Sequence, residues 1–268
     1  MILLTLIMAY CSTIAYAQAQ GISAKPQGNR ATLTVAVASN FYYPLSQIIA
    51  ESDEWRTGNI RLVSGSSGVL FAQIVNGAPY DLFLSADAKR PLALIEKGLG
   101  EQALTYTRGS LVIWPSENDL PARAHFTPEP PKRIAIANPQ TAPFGKAAEH
   151  YLKSLPNYSQ IATQLVYGNN IAQTFQFVDT GNAQIAFVAQ SMLVQAQAKF
   201  PDKHDLYTRF TALPRGSYPA ILQKGVVLLE PDAEGFASAT ALLNYLRSDA
   251  VQKKLLALGY LEIGATDG

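Results

Sequence analysis

The near-continuous apolar run Leu33-Thr34-Val35-Ala36-Val37-Ala38 is followed at once by a polar pair, Ser39-Asn40, and then by Pro44 with Leu45, Ile48 and Ile49 on one helical stripe. A strand with one face in water alternates apolar and polar residues, whereas a strand covered on both faces does not, so this run predicts a strand buried on both sides. Proline suits the first turn of a helix, where its missing N–H would have no partner anyway. The unit is strand, short polar turn, helix, and it recurs. Ile60–Val63 reads as a strand, Ser64-Gly65-Ser66-Ser67-Gly68 as the turn, and Val69–Asn76 as a short helix. Gly77 closes that helix, Pro79 prevents its resumption, and Asp81–Ser85 is the next buried strand. Repetition of this unit builds a mostly parallel sheet flanked by helices, the α/β class.

A second set of the same units follows. Leu111–Trp114 is a strand closed by Pro115, and Arg133–Ala137 another that ends at Asn138-Pro139. The turn Gln140 to Gly145 opens a helix through Ala147, Ala148, Tyr151 and Leu152. Leu165–Tyr167 gives way to Gly168-Asn169-Asn170, and Asn170 with Gln173 three residues on forms an N-cap and capping-box pair for a helix over Ile171–Val178. Gln184–Ala189 and Ala220–Leu229 are further strands, and two helical stretches, 233–247 and 249–258, complete the chain. We expect two lobes, the first from residues 30–109 plus 212–268 and the second from 110–211.

Composition narrows the partners. Apolar residues make up 48% of the 268 and charged ones 15%, too hydrophobic for disorder. Lys plus Arg number 21 against 20 Asp plus Glu with no basic run, which argues against nucleic acid. Residues 2–14 form an apolar stretch shorter than the roughly 20 residues that span a bilayer, followed by Ala15-Tyr16-Ala17 and Ala17-Gln18-Ala19. Residues 1–19 therefore read as a cleaved signal peptide, the alternative being a buried first element. The single cysteine, Cys11, would leave with it, so no disulfide framework or paired-cysteine metal site is expected.

Four strand-to-helix turns carry small polar residues: Ser39-Asn40, Ser66-Ser67-Gly68, Pro143-Phe144-Gly145 and Asn169-Asn170-Ile171. In open α/β sheets the ligand crevice lies outside the carboxyl ends of strands, where such turns sit. Each turn offers unpaired N–H groups and the positive end of a helix dipole, a setting that favours an anion. No turn contains Lys, Arg or His, apart from Lys146 just beyond the third, so the anion would be held by neutral donors. One such turn alone is usually structural, because Ser and Asn are common N-caps; four together point to a cleft without naming its ligand. Enzyme motifs fail by spacing. Gly65-Ser66-Ser67-Gly68-Val69 lacks the last glycine of a nucleophile elbow, and Gly145-Lys146 lacks the upstream glycine and the hydroxyl residue of a phosphate loop. His125, His150 and His204 stand far apart and read as solvated surface residues without zinc spacing.

These residues carry a family resemblance. Ala36-Val37-Ala38-Ser39-Asn40-Phe41, Ser66-Ser67-Gly68 and the stretch Gly77-Ala78-Pro79-Tyr80-Asp81-Leu82-Phe83-Leu84-Ser85-Ala86-Asp87 resemble the molybdate-binding periplasmic proteins of molybdate ABC transporters. The resemblance continues through Asn138-Pro139, Ala142-Pro143-Phe144-Gly145, Thr180-Gly181-Asn182-Ala183, Phe187-Val188-Ala189 and Tyr218-Pro219-Ala220. It implies a two-lobed type II periplasmic binding protein fold, with two crossing strands between the lobes and an oxyanion bound in the cleft by hydroxyls and backbone amides. Matched position by position, it implies hydroxyl and amide donors at Ser39 and Ser67, and backbone amide donors at Phe144 and Ile171. Where many members place a ligand-binding Tyr, this chain has Ala189; a subgroup without that Tyr uses the Asn matched by Asn40. The bland role for Asn40 is a cap on the helix near Pro44.

The resemblance thus implies a periplasmic, non-enzymatic, monomeric protein without a cofactor that binds molybdate or tungstate and passes it to a membrane ABC permease. Molybdenum would enter only as the oxyanion, with no direct bond from protein to metal. The rival readings are the same fold holding sulfate or a small organic anion, and a secreted hydrolase using Asp or Glu in the cleft.

Overall fold

In the computed structural model, residues 32–116, 121–214 and 216–264 are described. All fall in one compact unit that begins at Thr32, and the expected signal segment with Cys11 lies outside the described residues.

Two five-stranded sheets organise this unit. The first takes β1 (Leu33–Ala38), β2 (Ile60–Gly65), β3 (Leu82–Ser85), β4 (Ala103–Gly109) and β10 (Ile221–Val227), in the order β2-β1-β3-β10-β4. The second takes β5 (Leu111–Trp114), β6 (Ile134–Ala137), β7 (Leu165–Gly168), β8 (Ile185–Ala189) and β9 (Thr211–Ala212), in the order β7-β6-β8-β5-β9. Each sheet has a parallel trio: β2, β1 and β3 in one, β7, β6 and β8 in the other. In each, one strand runs against its neighbours, β10 between β3 and β4, and β5 between β8 and β9. Both sheets are therefore mixed, and mostly parallel as the pattern predicts. The chain passes between them twice, at Ser110 from β4 into β5, and from β9 back to β10.

Burial follows from this layering. Every residue of β1, β3, β5, β6 and β8 is buried, as runs without alternation require of strands covered on both faces. The covering helices are α1 (Tyr42–Ala50), α2 (Ser67–Val75), α3 (Lys89–Glu96), α4 (Pro143–Lys153), α5 (Tyr158–Ala162), α6 (Ile171–Asp179), α7 (Gln190–Lys199), α8 (His204–Thr208), α9 (Phe236–Tyr245) and α10 (Asp249–Ala257). Under the first sheet, Val35, Val37 and Leu84 pack with Leu45, Leu242 and Leu243. Under the second, Trp114 stacks on Phe175 with ring centroids 4.8 Å apart and on Tyr207 at 5.7 Å.

Three boundaries differ from the sequence expectation in ways that shape the site. β2 runs on to Gly65, because its ladder with β1 continues through Val37 opposite Ser64 and Ala38 opposite Gly65. α2 starts at Ser67 and not at Val69, which shrinks the turn and puts Ser67 at the first helical position. α1 starts at Tyr42, two residues before Pro44, so the proline stands third, still within the turn whose N–H groups lack partners. Among the described residues no helix is long and apolar enough to cross a membrane.

Leu84 is fully buried in the centre of the first sheet, while Leu92 on α3 stays 46% exposed. In urea melts of the ligand-free protein, Leu84→Ala is expected to cost about 2–5 kcal/mol. Leu92→Ala is expected to stay within about 0.5 kcal/mol of the parent.

Candidate functional site

The four turns singled out in the sequence meet at one place. A small cavity of about 10 Å³ is lined by Ser39, Asn40, Ser66, Ser67, Phe144 and Ile171, with small residues such as Ala38, Gly65 and Ala142 completing the wall. Each expected site residue is in this lining, and no lining side chain is charged. In the ligand-free protein, space on this scale holds little more than one water molecule.

The donors arise from helix geometry. The first four N–H groups of an α-helix have no carbonyl a turn behind them. Ser67 is the first residue of α2, Phe144 the second of α4 and Ile171 the first of α6. Pro143 opens α4, where its lack of an N–H costs nothing. Asn170 caps α6 through a bond from the Gln173 N–H to Oδ1 at 3.0 Å, while the Gln173 side chain accepts from the Asn169 N–H at 2.6 Å. The reciprocal half of the expected capping box thus falls one residue earlier, at Asn169. α2, α4 and α6 start in the cavity wall and α1 two residues past its lining residue Asn40, so four helix N-termini gather around the cavity and their dipoles favour negative charge there without any cation.

The serines differ in what they can offer. The Ser39 N–H donates to the Gly65 carbonyl at 3.0 Å, extending the sheet ladder, so Ser39 has its hydroxyl to give and not its amide. Ser67 Oγ accepts from the Ala86 N–H at 2.9 Å, which leaves its own proton free to donate. Ser66 escaped the sequence reading as an individual donor. It is the residue before α2, makes no side-chain cap bond, and its buried Oγ has no partner among the described residues. Its one sequence signal is its place in the serine pair.

Asn40 is not a cap. The residue preceding α1 is Phe41, with no side-chain cap bond. The Asn40 carboxamide turns instead to the distant end of the chain: Nδ2 donates to Gln223 Oε1 at 3.0 Å and, at 3.4 Å, to the Tyr260 hydroxyl. Tyr260 in turn donates to the Asn40 carbonyl at 3.0 Å. Tyr106 donates to Gln223 Oε1 and to the Ser85 carbonyl, both at 3.1 Å. Ala189 ends β8 buried in the cluster that also holds Phe144 and Ile171, but outside the cavity lining, so nothing there replaces the missing phenol. The three histidines stay away from the site. His150 and His204 are exposed as expected; His125 is half-buried, its Nε2 3.1 Å from both Ser116 Oγ and Thr211 Oγ1. Among the described residues no group of His, Cys, Asp and Glu is placed to hold a metal ion.

Backbone fit brings the two sides this close. The Gly68 N–H donates to the Thr141 carbonyl at 2.8 Å, and a Cβ on Gly68 would stand 2.8 Å from the Thr141 backbone. Beyond this contact lies a wider groove of about 680 Å³ that does carry charge, with Lys89, Arg90 and Lys146 among its lining residues. Arg90 is bound to Asp87 and reaches the Gln140 carbonyl at 3.4 Å.

Comparison with known proteins fits this arrangement. The family of bacterial extracellular solute-binding proteins matches residues 33–261. The chain belongs to that family. Its members bind and carry solutes and are not enzymes, which sets aside the hydrolase reading. Among the relatives is the molybdate-binding protein ModA of Rhodobacter capsulatus, 33% identical over 234 residues, 84% of this chain and 86% of the relative. The molybdate-binding protein ModA of Azotobacter vinelandii is 34% identical over 235 residues, 86% of this chain and 90% of the relative. The solved periplasmic molybdate-binding protein of Azotobacter vinelandii superposes with a TM-score of 0.74 at 30% identity, covering 85% of this chain and 98% of that one. The fold is therefore that of the type II periplasmic binding proteins. The sulfate-binding protein SubI of Mycobacterium tuberculosis, 12% identical with a TM-score of 0.64, shares the fold alone.

Burial pushes the Tyr106 and Tyr260 phenols above the ordinary value near 10, so both stay neutral beside the cavity across the physiological range. The folded protein keeps these protons where the unfolded chain releases them. Stability is then full below about pH 10 and falls as pH rises past it. Urea melts at about pH 8 and pH 10.5 should show that fall, and it should be smaller in Tyr106→Phe.

Proposed function

We propose that this solute-binding protein takes up molybdate and tungstate as oxyanions and hands them to a membrane ABC permease. The observation that carries the reading is the convergence of four helix N-termini and several serines on one small neutral cavity, in a chain about a third identical to two molybdate-binding proteins. Ser39, Asn40 and Ser67 would bind through side chains, and Ser67, Phe144 and Ile171 through backbone N–H groups. Residues 30–109 with 212–268 and residues 110–211 would act as the two lobes that close on the ligand. Residues 1–19 would serve as the signal peptide for export to the periplasm, where the mature chain would act as a monomer with no cofactor.

The energetics suffice. Hydrogen bonds to a charged group contribute about 1.5–3 kcal/mol each. A handful of them exceeds the cost of association, which is at least about 4 kcal/mol. Oxygen-bearing tetrahedra of different size are discriminated because donors fixed on helix ends cannot follow a smaller anion inward. Sulfate is accordingly the comparison ligand.

A ligand that binds only the folded state raises the melting temperature by mass action. In a panel of molybdate, tungstate, sulfate, phosphate and chromate, the first two should raise it and sulfate should not. Equal shifts with sulfate at equal concentration would defeat the selectivity. In calorimetry Ser67→Ala should lose roughly 10- to 100-fold in molybdate affinity, the equivalent of one such hydrogen bond.

A further inference from the structure

Two buried carboxamides next to the cavity are each left half-satisfied. Asn40 is 2% exposed and Gln223 fully buried, and they touch through Nδ2 and Oε1 at 3.0 Å. Yet Asn40 Oδ1 and Gln223 Nε2 are both without a partner among the described residues. An acceptor and two donor hydrogens are thus stranded on two groups that already meet, and a buried polar group without a partner is costly.

A half-turn of both amides keeps the contact between them and moves the unpaired NH₂ from Gln223 to Asn40. Gln223 Nε2 would then donate to Asn40 Oδ1 across the same contact and, with its second hydrogen, to the Tyr106 oxygen now 3.1 Å from Oε1. Tyr106 would keep its bond to the Ser85 carbonyl, no longer dividing one proton between two acceptors. Tyr260 would still donate to the Asn40 carbonyl. What remains unpaired is the Gln223 carbonyl and the Asn40 NH₂, one acceptor and two hydrogens as before, and the 3.4 Å bond from Asn40 to Tyr260 is given up. That NH₂ belongs to a residue lining the cavity, and a donor is what an anion there needs. In the unrotated arrangement the same corner carries a carbonyl oxygen, of the wrong sign for an anion.

We propose that Gln223 is a positioning residue for oxyanion binding: held by Tyr106, its carboxamide decides which end of the Asn40 amide is turned to the ligand. The proposal rests on the functional reading above and extends it to a residue 183 positions away that does not line the cavity. It also supplies what the absent phenol at Ala189 would otherwise give, a neutral side-chain donor locked by a network that does not titrate near neutrality.

A double-mutant cycle tests it, with molybdate affinity measured by calorimetry on wild type, Asn40→Ala, Gln223→Met and the double variant. Each single change should weaken binding about tenfold, and the double variant should bind no worse than Asn40→Ala, since Gln223 acts only through Asn40. Wild-type affinity in Gln223→Met, or losses that multiply to about a hundredfold in the double variant, would overturn the proposal. A second readout needs no altered core. In protein labelled with nitrogen-15 at asparagine, the Asn40 side-chain NH₂ resonance, assigned by its loss in Asn40→Ala, should shift when molybdate is added. An unmoved resonance in a wild type that binds molybdate overturns the proposal and leaves the function standing. A wild type that binds neither molybdate nor tungstate overturns both.

Discussion

The unpaired N–H groups at the start of a helix are the constraint around which this molecule is arranged. They cannot be satisfied within the helix, and in water they would simply be hydrated. Here three helices begin in the wall of one small cavity and a fourth close by, so orphan donors are gathered where little water fits. The sheets make this possible. β1, β2, β6 and β7 all present their carboxyl ends to the same region, two from each sheet, and each feeds directly into a helix after a short turn. Small residues at the closest approaches let the backbones meet. A Cβ on Gly145 would come within 1.9 Å of the Ala137 carbonyl, so any other residue would push α4 off β6 and carry the Phe144 N–H with it.

Neutrality follows from the same constraint. A buried arginine would bind an anion strongly, but it would also be a desolvated, uncompensated charge in the empty protein, at a cost of several kcal/mol. Helix ends, hydroxyls and carboxamides carry partial charges that the empty cavity tolerates. The cations near the cleft are kept in the wider groove, where water reaches them and where Asp87 pairs with Arg90.

Much of this was legible in the sequence, because it rests on local chemistry. The unbroken apolar runs of β1, β3 and β8 identified strands covered on both faces, and the small polar residues after β1, β2, β6 and β7 marked the turns that meet at the cavity. What escaped detection lacked a local signal. β4, Ala103–Gly109, mixes threonine, tyrosine and arginine, and although its last four residues are buried its composition did not mark it as a strand. α3 is short and opens Lys-Arg-Pro, which hid its stripe of Pro91, Leu94 and Ile95, and α7 is rich in glutamine and alanine and shows no clear apolar stripe. Asn40 could be named from its turn, but its partners Gln223 and Tyr260 come from β10 and the chain's far end. Pairing of that kind is set by topology, and no spacing rule reports it.

On the proposed reading the anion sits at the helix ends and not against the nearest cations. Crystals of the molybdate complex, measured at the molybdenum absorption edge, would place the metal directly by its anomalous scattering. One peak is expected, in the cavity bounded by Ser39, Ser67, Phe144 and Ile171, with every contact made by oxygen through hydrogen bonds from neutral groups. A peak in the wider groove beside Arg90 and Lys146, with the small cavity empty, would contradict it.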